Sequence, residues 1–209
     1  MPSAVLDRNV PGVAPPAERP PGPSPEGPGG GGILGDPARF GMLAFLGTVS
    51  MLFIGFTSAY ILREASADWR PLAAPPILWV NTLLLACSSA SLEAARRGLR
   101  GWNLALARKG TVGAGILGLL FLVGQVQGWR ELRARGVFLA TNPHSSFFYL
   151  LTGIHGLHLL GGLLWLIPVA VRTRRLEYPP GSDALGLVAL YWHFLGALWL
   201  YLVYLLFFL

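Results

Sequence analysis

Charge disappears from five stretches of this 209-residue chain, residues 40–62, 71–92, 110–129, 136–171 and 184–209. Each is long enough for one helix to cross a bilayer, since a hydrocarbon core of about 30 Å needs roughly 20 residues at about 1.5 Å each. With 53% of residues hydrophobic and 12% charged, the chain does not suit a water-soluble globule, in which roughly a quarter would carry charge. The expected fold class is therefore all-α, an integral membrane bundle of five transmembrane helices. The fourth stretch exceeds one span. Its Asn142-Pro143 reads as a loop, with a helix starting near Ser145 and capped by Ser145 or Ser146.

The formal charge of +6 follows the spans. Eleven Lys and Arg fall on one side: Arg8, Arg19, Arg39, Arg96, Arg97, Arg100, Arg108, Lys109, Arg172, Arg174 and Arg175. Five fall on the other: Arg63, Arg70, Arg130, Arg133 and Arg135. Cytoplasmic loops are enriched in such residues, so the count predicts the N-terminus inside and the C-terminus outside. The excess is a topology signal that also favours anionic lipid head groups, and no nucleic-acid partner is expected.

Residues 10–32 are dominated by Pro and Gly, and the opening MPSAVLDRNV has no apolar core of secretory-signal length. Residues 1–38 are read as a retained, disordered tail and 39–209 as the membrane domain. Cys87, the single cysteine, excludes a disulfide framework, zinc ribbon or thiolate copper centre built from this chain alone. Small residues four apart (Gly55 with Ala59, Ala86 with Ala90, Ala114 with Gly118, Thr152 with Gly156) predict close helix approaches.

Polar residues at membrane depth are costly and are candidates for function. His155 and His158, three apart, face nearly the same way; His193 lies within YWHF beside Trp192, and His144 stands at the mouth of the fourth span. No Cys, Asp or Glu adjoins them in sequence to complete a metal shell, and an i, i+3 pair cannot straddle a haem iron. These histidines are expected to be satisfied by neighbouring helices, a partner subunit or lipid. Asn81 and Gln125 are expected to hydrogen-bond between helices, and Glu93 to pair with Arg96 and Arg97 on its own helix. The first, third, fourth and fifth spans hold no Asp or Glu, and no internal repeat is visible, which argues against autonomous ion pumping. No Ser-His or Cys-His pair with an acid partner occurs within one span.

Four segments carry a resemblance: RFGMLAFLGTVSMLFIGFTSAY (39–60), NTLLLACSSASLEAARR (81–97), NPHSSFFYLLTGIHGLHLLGG (142–162) and YWHFLGALWLYL (191–202). Together they resemble subunit III of the haem-copper cytochrome oxidases, in the five-helix bacterial form. The resemblance implies a non-catalytic accessory subunit of a terminal oxidase in the bacterial inner membrane. It would support a catalytic subunit that reduces oxygen and translocates protons. Haem and copper would belong to that subunit and to a copper-binding or quinol-oxidase subunit II, with no cofactor or metal bound by this chain and structural phospholipid held between helices. His155, His158, His193 and Trp192 are the positions implied for a lipid-facing or structural role. A nitric oxide reductase component and a membrane assembly factor are the alternatives. Two departures stand out: many family members carry a glutamate where this chain has Val49, and an aspartate where it has Gly196.

Overall fold

The computed structural model describes residues 37–72, 74–175, 177–178, 183 and 185–209. Among these residues five helices are formed: α1 (Pro37–Glu64), α2 (Ile77–Arg100), α3 (Leu104–Ala134), α4 (Pro143–Arg174) and α5 (Gly186–Phe207). All five are long and apolar enough to cross a membrane. Of the segment read as a tail, residues 1–36 lie outside the described residues, whereas Pro37 and Ala38 open α1.

Four of the helices overrun the charge-free runs, because arginines occupy their last turns: Arg63 in α1, Arg97 and Arg100 in α2, Arg133 in α3, Arg172 and Arg174 in α4. A cation there suits the negative end of the helix dipole, and its long stem lets the head group reach the interface. The start of α4 also differs from expectation. Asn142, not a serine, is the cap: its side chain accepts from Ser145 N at 3.0 Å, and Ser145 Oγ accepts from Asn142 N at 3.2 Å. Pro143 fits the first turn because the N–H it lacks would have no helical partner there.

Helices α2, α3, α4 and α5 form a closed ring in that order, and α1 lies outside it, packing its backbone along α4 and α5. The α2–α3 pair is the most intimate, because small residues line its seam. A Cβ on Gly110 would stand 2.7 Å from the Ser91 carbonyl oxygen, and Ser91 Oγ donates to the Gly110 carbonyl at 3.0 Å. Gly110→Ala must push two backbones apart and is expected to cost about 1–3 kcal/mol of stability, measurable as a lowered thermal midpoint in detergent.

Of the four small-residue pairs, Ala114–Gly118 and Thr152–Gly156 sit at helix interfaces. Gly55–Ala59 and Ala86–Ala90 are exposed on the bundle surface. A four-residue spacing fixes a common face but not whether that face meets protein or lipid.

The aromatic residues of α5 fill the slots that glycines leave. Trp192 lies against Gly118, whose Cβ would meet its ring at 2.9 Å, and Tyr191 lies against Gly162 at 2.8 Å by the same measure. Trp199 meets Phe121 edge-on at 4.8 Å and donates its Nε1–H to Thr82 Oγ1 at 3.0 Å. Consequently α5 is the most enclosed helix, half of its apolar window being buried.

Candidate functional site

Polar groups cluster where the start of α1, the end of α2 and the start of α5 meet. Asp183, just ahead of α5, accepts two bonds from the Arg96 guanidinium (Nε at 2.7 Å, Nη2 at 3.0 Å). Arg100 reaches the same carboxylate at 2.7 Å and Arg39 at 3.4 Å. One carboxylate therefore ties α1 and α2 to the entry of α5. The Arg96 guanidinium, with Arg100 beside it, holds the Asp183 carboxyl below its ordinary value.

A depressed folded-state value contributes stability above the unfolded pKa, near 4, and that contribution is lost as pH falls through the folded value. Asp183→Asn is expected to cost about 1–2 kcal/mol at neutral pH, the charge-assisted bonds being partly solvent-screened. The difference between parent and variant should vanish in thermal melts taken progressively below about pH 4.

Next to this cluster, Glu93 pairs with Arg97 at 3.3 Å and Arg96 at 3.6 Å along its own helix, and with His193 Nε2 of α5 at 3.6 Å. His193 Nδ1 lies 2.5 Å from Ser89 Oγ. Ser89, His193 and Glu93 thus stand in the order of a hydrolytic triad, assembled from two helices where a search of single spans finds none. Ser89 is mid-helix, however, where every backbone N–H is spent on the helical ladder, so no donor pair is free to hold an oxyanion. Chemically the arrangement is a clasp between α2 and α5. Beside it lies a hollow of about 370 Å³ lined by Arg39, Arg96, Asp183 and His193 together with Leu43, Gly186, Leu187 and Leu190.

His155 and His158 share a helix face yet meet different neighbours. The His155 ring is wholly buried, 5.2 Å from Trp199 and 5.8 Å from Phe121, and neither ring nitrogen has a partner among the described residues. His158, half-buried, turns toward Phe53 of α1 at 6.1 Å, with Nδ1 2.9 Å from the Ile154 carbonyl. The roughly 60° between them on the helical wheel is enough to divide them between the ring interior and α1.

Trp192 Nε1–H donates to Ser88 Oγ at 3.0 Å, and Ser88 donates to the Ala114 carbonyl at 2.8 Å, linking α5, α2 and α3. Asn81 donates to Gln125 Oε1 at 3.4 Å between α2 and α3. His144 proves to be a joint. Its Nδ1 accepts from Leu72 N–H at 2.8 Å and its Nε2 lies 3.0 Å from the Leu206 carbonyl, so the second nitrogen carries the proton. Among the described residues, no three His, Cys, Asp or Glu side chains converge as a metal-ligand set.

Sequence reasoning did not pick out Asp183 or Ser89. The available signal for Asp183 was a carboxylate just ahead of the last span, on the side where cations prevail. Nothing local pairs it with Arg96, 87 residues away.

Comparison with known proteins supplies what geometry cannot. Residues 34–209 match the family described as cytochrome c oxidase subunit III. This chain belongs to that family. Cytochrome c oxidase subunit 3 of Synechocystis is 32% identical over 174 residues, covering 80% of this chain and 73% of the relative. The corresponding protein of Thermostichus vulcanus is 34% identical over 181 residues, covering 80% and 85%. A probable cytochrome c oxidase subunit 3 of Mycobacterium tuberculosis is 32% identical over 174 residues, covering 77% and 82%.

Within this subunit III fold, the two departures from the family resemblance sit in different surroundings. Val49 is buried, so a carboxylate there would be desolvated. Gly196 faces open space, where a side chain would meet nothing within 4 Å.

Proposed function

We propose that this chain is the accessory subunit of a haem-copper terminal oxidase in the inner membrane of a bacterium, with its N-terminus inside and its C-terminus outside. Haems and copper reside in a catalytic subunit and in a copper-binding or quinol-oxidase subunit II. Electrons from cytochrome c or a quinol reach oxygen through those partners, with protons translocated across the membrane. This chain supports the catalytic subunit by packing and by holding phospholipid.

The observation that carries this reading is where the HGLH and YWHF side chains point. His158 turns to its own helix and to Phe53, His193 to Ser89 and Glu93, and Trp192 to Ser88, while His155 is sealed under Phe121 and Trp199. Side chains engaged in this way hold helices together, which supports a bracing role. The hollow beside Arg39, Arg96, Asp183 and His193 supports the lipid role, with an ion-paired polar rim facing a head group and Leu43, Leu187 and Leu190 facing a tail.

The test is purification of the tagged chain in mild detergent. Co-purification with a haem-copper subunit and oxygen uptake supports the reading. Nitric oxide consumption by the co-purifying complex, or a haem-free preparation without oxidase subunits, replaces it with a reductase component or an assembly factor.

A further inference from the structure

The face shared by α3 and α4, away from the cluster around Asp183, carries an apolar groove of about 410 Å³. Ile116 and Leu119 of α3 and Leu163, Leu164 and Ile167 of α4 form its walls. At one end it runs into a second hollow of about 630 Å³ that holds Arg108, Lys109 and Arg174, the two sharing Val112, Ile116 and Arg174. Among the described residues, no carboxylate lines either one.

Other arginines near this end of the bundle are paired. Arg96, Arg100 and Arg39 bond Asp183, Arg97 bonds Glu93, and Arg172 and Arg175 approach Glu177. Arg108, Lys109 and Arg174 form no ion pair among the described residues. Arg108 Nε is also shut off from solvent without a hydrogen-bond partner among them. A buried guanidinium N–H with nothing to donate to is costly until an acceptor arrives.

The shape selects the occupant. From Arg108 to Leu119 the groove extends about 17 Å along α3, close to one leaflet of a hydrocarbon core of about 30 Å. A crossing helix from a partner needs an apolar face through both leaflets. A single lipid needs an anion-binding end and one leaflet of apolar wall.

We infer that the α3–α4 groove is a site for one anionic phospholipid, its phosphate held by Arg108, Lys109 and Arg174 and an acyl chain lying along Ile116, Leu163 and Ile167. The site is lined by other helices than the hollow beside His193 and stands whether or not that hollow holds lipid.

The experiment compares the parent with R108Q/K109Q/R174Q, each purified in mild detergent with the subunits that accompany it. The preparations are equilibrated with micelles containing phosphatidylglycerol, or phosphatidylcholine of the same chains, and bound lipid is counted by native mass spectrometry. The parent is expected to retain one phosphatidylglycerol that the triple variant loses, with affinity reduced by about tenfold or more, since each basic residue near an anionic head group contributes several-fold. Phosphatidylcholine should not replace it. R172Q/R175Q, which removes two cations from the same end of α4, should keep it.

A fluorophore at L164C in a C87A background should be quenched by brominated-tail phosphatidylglycerol in the otherwise unaltered chain but not with the triple substitution. Undiminished phosphatidylglycerol retention by the triple variant overturns the inference. So does cross-linking of L164C to another subunit without quenching, which assigns the groove to a protein partner. Neither outcome touches the reading of the chain as an oxidase subunit, which rests on the co-purification described above.

Discussion

Trp192→Ala is expected to destabilise the bundle by about 3 kcal/mol, the low end for deleting a buried tryptophan. The indole is fully buried, fitted against Gly118 and Gly162, and its N–H reaches Ser88. In a bilayer the lipid tails are as apolar as the core, so a helix gains its place by close packing more than by escape from water. An empty slot among α2, α3, α4 and α5 forfeits that packing where the ring of helices closes. Trp192→Phe keeps most of the volume and loses the N–H bond and part of the ring, so it should cost distinctly less, about 1–2 kcal/mol. Chemical or thermal unfolding in detergent measures both. Equal losses would move the effect from packing to the hydrogen bond.

His144→Leu is the second large effect, also about 3 kcal/mol. The ring stacks on Trp69 at 5.0 Å with 14° between planes and meets the edge of Tyr60 at 5.9 Å. Its two nitrogens satisfy Leu72 N–H in the α1–α2 connection and the Leu206 carbonyl near the end of α5. A leucine leaves both backbone groups without partners, at about 1–3 kcal/mol each. The loss should be local before it is global. Protease cleavage between α1 and α2 should accelerate in His144→Leu at temperatures where Trp192→Phe remains resistant.

The five spans were legible because the bilayer imposes a length and a composition that almost nothing else requires. Their ends were less so. A charged residue reads as a boundary, yet Arg96, Arg97 and Arg100 are helical, since arginine lets a helix continue while its head group reaches the interface. The sequence offers Ser145 or Ser146 as the α4 cap, but the cap is Asn142, and Ser145 takes part only as the third helical residue of the capping box.

In the site, the spacing of His155 and His158 gave their common face. Which neighbour each meets depends on how α4 is rotated against α3, α5 and α1, and that is set by the glycine slots and aromatic fillers of the whole bundle. The pairing of Glu93 with Arg96 and Arg97 is local and legible, whereas Asp183, Ser89 and the contact of Glu93 with His193 are tertiary facts, made by residues 83 to 144 positions apart. The sequence places His144 at the mouth of α4, but its two backbone partners lie 72 and 62 residues away.

The central claim is that this bundle braces a neighbour's reaction centre and carries no haem of its own. The most direct measurement is haem and iron content after the tagged complex is separated into subunits under conditions that preserve haem. The account predicts that haem and stoichiometric iron follow the co-purifying large subunit, and that this chain is colourless in the visible range. Haem remaining with this polypeptide, and lost on His158→Leu while the bundle stays folded, would contradict it.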